Sequence, residues 1–279
     1  MKRRILAALA ALALGIGVVA AGPANPASAS PLSVAKYVAL GDSIAAGQGG
    51  GPALDACQRT DGGYAAQLDD APKINLLRNA ACTGATIAGT HPQLSQVNRG
   101  TTVVTLTVGA NDLGLDGIYA ACASVAAGAD PVACFAAIQA AIGAAPGTVG
   151  PLTSLIGAIA QRSPNATIVV TGYAHLFESP PPLPEFAGLA ALVAGVNGAI
   201  DALNGAIQAA VGAAAAGGAN VHYADVVDAF AGHGVQLAPG VPSDPWFGID
   251  PVGDPAGFLH PTYAGYTAYT NVIRQTLGR

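Results

Sequence analysis

Two rhythms alternate along the chain. Short apolar or β-branched runs at 35–40, 74–77, 102–108, 167–172 and 220–223 have the length of strands. The stretches 64–68, 131–145, 152–161, 189–212 and 262–277 have instead the spacing of helices. Strand and helix in alternation predict an α/β fold with a parallel sheet covered on both faces. The stretch 189–212 is the clearest helix: Leu189, Leu192, Val193, Val196, Ile200, Leu203, Ile207 and Val211 recur at steps of three and four, against a stripe of Asn197, Asp201, Asn204 and Gln208. That stripe predicts an amphipathic surface helix and argues against a membrane span, whose window would have to be apolar throughout. The prolines from Pro180 to Pro184 make the preceding segment an extended loop.

The first residues break this rhythm. Lys2, Arg3 and Arg4 precede an apolar run over 5–21, then Gly22-Pro23 and the small residues Ala27-Ser28-Ala29. Basic flank, apolar centre and Ala-x-Ala site predict a secretory signal peptide over 1–29, cut after Ala29, and a single domain over 30–279. Removing the leader leaves eight basic against sixteen acidic residues, a formal net charge of −8. Such a balance disfavours nucleic acid and anionic lipid surfaces as partners, and no stable membrane anchor is expected. Four cysteines in an exported chain imply disulfides, since their spacing fits neither C-x-x-C nor a Cys/His finger. Three pairings are open; Cys57 with Cys82 and Cys122 with Cys134 is favoured, because each then closes a local loop beside a candidate functional segment.

The candidate chemistry gathers at strand ends. The first strand runs into Gly41-Asp42-Ser43 and then the glycine-rich run Gly47-Gln48-Gly49-Gly50-Gly51. Loops beyond the carboxyl ends of parallel strands form the ligand crevice, and small neighbours let a substrate approach the Ser43 hydroxyl. Three further stretches share this placement: Asn79 to Gly84 after the second strand, Gly109-Ala110-Asn111-Asp112 after the third, and His260-Pro261 at the start of the last helix. Singly, each has a plainer reading as a turn glycine, a helix cap or a surface histidine. Jointly, in this order, they supply a nucleophile, a base and donors for a developing oxyanion.

These motifs resemble those of the SGNH hydrolases, or GDSL lipases and esterases, and the likeness runs over the whole chain after the leader. It is strongest to the secreted, disulfide-bonded actinobacterial-type lipases. The resemblance implies a three-layer α/β/α flavodoxin-like fold and hydrolysis of carboxylic esters. It also implies Ser43 as nucleophile, His260 as general base, and the Ser43 and Gly84 backbone N–H groups with the Asn111 amide as oxyanion donors. Many members carry an Asp three residues before the histidine, where this chain has Gly257. The Gly257 carbonyl is therefore expected to accept the Nδ1–H bond that orients His260. Asp250 and Asp254 are the alternative carboxylates.

Four other histidines compete. His222 falls within a predicted strand, His175 and His233 lie in irregular segments, and His91 also precedes a proline. His260 is preferred because it lies beyond the last strand, where the chain returns to the Ser43 edge. Apolar Leu113, Leu115, Ile118 and Tyr119 on one side, and Trp246, Phe247, Phe258 and Leu259 on the other, are expected to wall the site for an acyl chain. The chemistry calls for no metal or cofactor, and no His/Asp/Glu cluster has ligand spacing. The chain is expected to act as a monomer on a small-molecule or lipid ester. Two other readings stay open at this point: a non-catalytic binder of lipid or glycan on the same fold, and a phosphate cradle at Gly47–Gly51, which lacks the Lys-Ser/Thr ending of a P-loop.

Overall fold

A computed structural model describes residues 34–278 except 115–116, 119–120, 123–124 and 126–129. The expected leader over 1–29, and Leu115 and Tyr119 among the expected wall residues, lie outside the described residues. Five strands, β1 (Ala35–Gly41), β2 (Ile74–Asn79), β3 (Val103–Thr107), β4 (Thr167–Thr171) and β5 (Val221–Ala224), form a parallel sheet in the order β2-β1-β3-β4-β5. Around them run the helices α1 (Ser43–Ala46), α2 (Tyr64–Asp69), α3 (Ile87–Thr90), α4 (Val132–Ala144), α5 (Val149–Arg162), α6 (Ala187–Ala216) and α7 (Tyr263–Thr276).

The strand residues divide by parity. Val38, Leu40, Val104, Leu106, Ile168 and Val170 enter a core with buried residues of α4, α5 and α6. Ala35, Tyr37, Ala39, Val103 and Val169 enter the opposite core with α2 and α7. Alternation of side chains thus sends successive residues of the central strands β1, β3 and β4 to opposite helical layers, while the edge strands β2 and β5 keep exposed polar positions such as Arg78 and His222. Leu152, Leu155, Ile156 and Ile159 of α5 are fully buried, each contributing about 1.5–3 kcal/mol by leaving water. By length and composition the helical stretches Val132–Arg162 and Pro184–Ala216 could cross a membrane. Their buried residues instead join one another and the strands of one sheet face in a single core.

The polar stripe of α6 departs from expectation. Asp201 and Gln208 are exposed, but Asn204 is buried, accepting from the Tyr173 N–H at 2.8 Å and donating to the Tyr173 carbonyl at 2.8 Å. Asn197 likewise donates to the Phe177 carbonyl at 2.8 Å. Backbone leaving a strand loses its ladder partners, and amides on a helix crossing that exit replace them.

Strand order fixes where chemistry can occur. After β1 the chain crosses to β2 on one side, then returns to β3 on the other, so the switch point lies between β1 and β3. Crevices open there, beyond the carboxyl ends. Two disulfides, Cys57–Cys82 and Cys122–Cys134, use all four cysteines. The first links the chain between α1 and α2 to the loop after β2, on the switch-point side.

Candidate active site

β1 ends against its neighbour. Gly41 has φ +130°, and a Cβ there would lie 2.0 Å from the Thr107 carbonyl oxygen, so no other residue fits without shifting the backbone. The Asp42 N–H still reaches that carbonyl at 2.9 Å. Asp42 then caps α1, its Oδ1 accepting from the Ile44 N–H at 3.0 Å, and Ser43 becomes the first helical residue. Gln93 fixes the strand end further: its amide accepts from the Gly41 N–H and donates to the Gly41 carbonyl, both at 2.8 Å.

His260 arrives on a loop strapped to the segment Trp246–Gly248. The Gly248 N–H donates to the His260 carbonyl at 2.9 Å, the Leu259 N–H to the Gly248 carbonyl at 2.8 Å, and the Thr262 N–H to the Trp246 carbonyl at 2.8 Å. Leu259 is held at φ +57°, an unfavourable conformation for a branched side chain and one that marks functional sites. The result is a 3.0 Å contact between His260 Nε2 and Ser43 Oγ, within reach of proton transfer.

The partner of Nδ1 corrects the expectation made for Gly257. His260 Nδ1 lies 3.0 Å from the Phe258 carbonyl, while the Gly257 carbonyl accepts from the His260 backbone N–H at 3.0 Å. The tight turn closed by that backbone bond brings the Phe258 oxygen, rather than that of Gly257, to the ring. Asp250 and Asp254 bind their own turns: Asp250 Oδ1 accepts from Val252 and Gly253 N–H at 3.0 and 2.8 Å, and Asp254 Oδ1 from the Gly257 N–H at 2.9 Å.

Asn111 stands at the end of β3, beyond Gly109 at φ +131°, and its Nδ2 donates to the Ala85 carbonyl at 3.0 Å. Asp112 Oδ2 accepts from the Ile87 N–H at 2.9 Å, and burial raises the pKa of its carboxyl. These two bonds tie the Asn111 loop to the loop carrying Gly84. Gly84 itself is exposed at φ +73° with nothing within 4 Å of where a Cβ would stand. Its glycine requirement is therefore one of backbone conformation.

Ser43, Asn111 and His260 share a cavity of about 120 Å³ whose other walls are mostly apolar. Leu113, Ile118, Phe247 and Leu259 line it, as expected from sequence, and α6 adds Val196, Ala199, Ile200 and Leu203. Trp246 departs from expectation: it stacks on His233 at 3.5 Å and lines a separate groove with Asp225 and Tyr263. Phe258 contributes its carbonyl rather than a cavity wall. His175 pairs with Asp201 at 2.7 Å, His222 lies 3.3 Å from Asn220, and His91 opens a 3₁₀ turn and is itself exposed; none of the three lines the cavity that holds Ser43. Among the described residues no group of three or more His, Cys, Asp or Glu could hold a metal ion.

Beneath the nucleophile lies a buried acid. Burial pushes the Asp42 carboxyl up to about 7, against the opposing pull of the Tyr173 hydroxyl, which donates to Oδ2 at 2.5 Å, and of nearby backbone N–H groups.

The chain matches the GDSL-like lipase/acylhydrolase family over residues 39–268, a span holding every motif of the site. It belongs to that family. As a GDSL-like lipase/acylhydrolase it is 30% identical to Lipase 1 of Streptomyces coelicolor over 184 residues, 64% of this chain and 67% of that one. It is 31% identical to a lipase of Streptomyces rimosus over 180 residues, 63% of this chain and 66% of that one. Among solved structures, the extracellular lipase of Streptomyces rimosus aligns with a TM-score of 0.72 and 29% identity, covering 87% of this chain and 99% of that one. Phospholipase A1 of Streptomyces albidoflavus aligns with a TM-score of 0.73 and 28% identity, covering 88% of this chain and all of its own. Membership of the GDSL-like lipase/acylhydrolase family, with lipases as relatives, makes this chain a carboxylic ester hydrolase of the lipase/esterase kind.

Proposed function

We propose that the chain is an exported serine esterase or lipase that cleaves acyl esters through an acyl-enzyme. The observation that carries this reading is the 3.0 Å contact of His260 Nε2 with Ser43 Oγ at the wall of an apolar cavity. Ser43 Oγ attacks the ester carbonyl while His260 takes its proton, forming the tetrahedral oxyanion. His260 then returns that proton to the departing alcohol, and water hydrolyses the acyl-Ser43 by the same steps reversed in role. The Ser43 and Gly84 N–H groups and the Asn111 amide are assigned to the oxyanion; an amide has two N–H donors, so the one given to Ala85 leaves a second for substrate. The acyl chain is assigned to the cavity beneath α6. Export is assigned to the leader over 1–29, and both disulfides suit an oxidising compartment. The substrate is an ester of a small molecule or lipid, met by a single chain in solution.

The test is turnover of p-nitrophenyl esters of increasing chain length by the wild type and by Ser43→Ala. Ser43→Ala is expected to fold and to lose roughly a million-fold in kcat. A folded Ala variant retaining a tenth of the activity would remove Ser43 from the mechanism, and binding of lipid without turnover by the wild type would restore the binding-protein reading.

A further inference from the structure

The glycine-rich run after α1 lacks the ending of a phosphate loop, and its one large residue is buried at the centre of the site's supports. Gln48 is 9% exposed and uses every polar group it has. Its backbone N–H donates to the Ser43 carbonyl at 3.0 Å, and its backbone carbonyl accepts from the Tyr266 hydroxyl of α7 at 2.7 Å. Its side chain spans two loops: Oε1 accepts from Thr83 Oγ at 2.6 Å, and Nε2 donates to the Ala256 carbonyl at 2.6 Å. The orientation of the amide is fixed by chemistry, since the Ala256 carbonyl can only accept.

One end of this bridge adjoins a residue of the proposed machinery, and the other holds the start of the turn that carries His260. Thr83 precedes Gly84, so its placement sets the peptide whose N–H is assigned to the oxyanion. Ala256 opens the turn that closes between Gly257 and His260. The next residue along the run, Gly49, has φ +86°, and a Cβ there would stand 2.9 Å from the Pro261 carbonyl and 3.0 Å from His260 Cβ. The run therefore passes against His260 and Gly257 while its glutamine bonds the neighbouring Ala256 carbonyl of the same loop.

We propose that Gln48 is a positioning residue that couples the oxyanion loop to the histidine loop through its amide, so that the Gly84 N–H and the His260 ring keep one spacing about Ser43. The inference rests on the roles proposed for Ser43, Gly84 and His260. Small displacements of reacting groups are costly, about a hundred-fold in rate for 1 Å. A bridge that acts on placement lowers kcat and leaves substrate affinity alone.

The test uses Gln48→Met, Gln48→Glu, Thr83→Val and the double variant Gln48→Met/Thr83→Val. Rates are taken per active site, counted by stoichiometric labelling with a p-nitrophenyl phosphonate, so that misfolded protein does not enter the rate. Gln48→Met is expected to lower kcat by about 10- to 100-fold with KM within about twofold. Gln48→Glu keeps an acceptor for Thr83 but loses the donor to Ala256, and is expected to be about as slow. Thr83→Val is expected to lose several-fold, and the double variant to be no slower than Gln48→Met alone, because both act through one chain of bonds. Near wild-type kcat in Gln48→Glu or in folded Gln48→Met, multiplicative losses in the double variant, or a change confined to KM overturns the proposal. If Gln48→Met does not fold, Gln48→Glu and Thr83→Val decide by the same criteria. Failure of the phosphonate to label wild-type protein at Ser43 would instead overturn the underlying assignment of the nucleophile.

Discussion

The hydroxyl of Tyr173 stands between the nucleophile turn and the Asn111 loop, donating to Asp42 Oδ2 at 2.5 Å and accepting from the Ala110 N–H at 3.2 Å. One buried phenol at the exit of β4 thereby links the ends of β1 and β3. Tyr173→Phe leaves a buried carboxyl oxygen and a buried N–H without this partner, and each such orphan costs about 1–3 kcal/mol. The variant is expected to lose at least about 1 kcal/mol in urea unfolding at neutral pH. A loss below about 0.5 kcal/mol would mean that other groups already satisfy both ends.

Asp42 also makes a pH prediction. Its folded pKa is raised to about 7 from an ordinary value of 3.8, first by burial. Between those values the folded state holds a proton that the unfolded state has released, so the stability this contributes is complete below about pH 4 and is lost as pH rises through about 7. The difference is on the order of 4 kcal/mol. Asp42→Asn removes the titration, so the stability of wild type relative to this variant is expected to fall from about pH 4 to about pH 7 and to level above about pH 8. Parallel pH curves for the two proteins would count against a raised pKa.

Asn111→Ala tests the donor set. Removing one donor of an oxyanion hole costs about a hundred- to a thousand-fold in kcat, with KM little changed, because the donor acts on the developing charge. Since Asn111 also bonds the Ala85 carbonyl, its variant should be checked for thermal stability. A loss confined to KM would assign Asn111 to ground-state binding.

A sequence reveals those features whose forces leave a pattern in it. The five strands and the long helices are legible within a few residues because burial on both sheet faces and helical periodicity both mark the chain. Ser43 and His260 are legible as motifs at a strand end and a helix start. Other features leave no such mark. Val196, Ile200 and Leu203 read only as the apolar face of an amphipathic helix, because the wall of an apolar cavity has the composition of such a face. Asn204 reads as solvent-facing because its partner is backbone at a strand exit, which no periodicity foretells. Tyr173, more than a hundred residues from Asp42, joins the site only through the sheet. The orienting carbonyl is expected one residue early, at Gly257, because the choice between Gly257 and Phe258 turns on the left-handed conformation of Leu259, and leucine does not advertise one.

That carbonyl carries the last prediction. A triad aspartate does two things for its histidine: it fixes the tautomer with Nε2 free to act as base, and its charge stabilises the imidazolium formed when the base takes a proton. The Phe258 carbonyl, 3.0 Å from Nδ1, can do the first and supplies only a dipole toward the second. The two nearby carboxylates are committed elsewhere. Asp250 accepts two N–H bonds from its own turn, which hold its carboxyl below the usual range, with the Gly253 N–H the larger influence. Asp254 caps the Gly257 N–H. Asparagine keeps the Oδ1 acceptor in both turns while removing the charge, so Asp250→Asn and Asp254→Asn should preserve the loop. Each is expected to keep kcat within about tenfold of wild type, since replacing an aspartate that truly orients the histidine costs roughly ten-thousand-fold. The decisive measurement is kcat of both folded variants on one p-nitrophenyl ester at saturating concentration. A loss approaching ten-thousand-fold from either would mean that the loop rearranges during turnover to bring that carboxylate to Nδ1, displacing the Phe258 carbonyl.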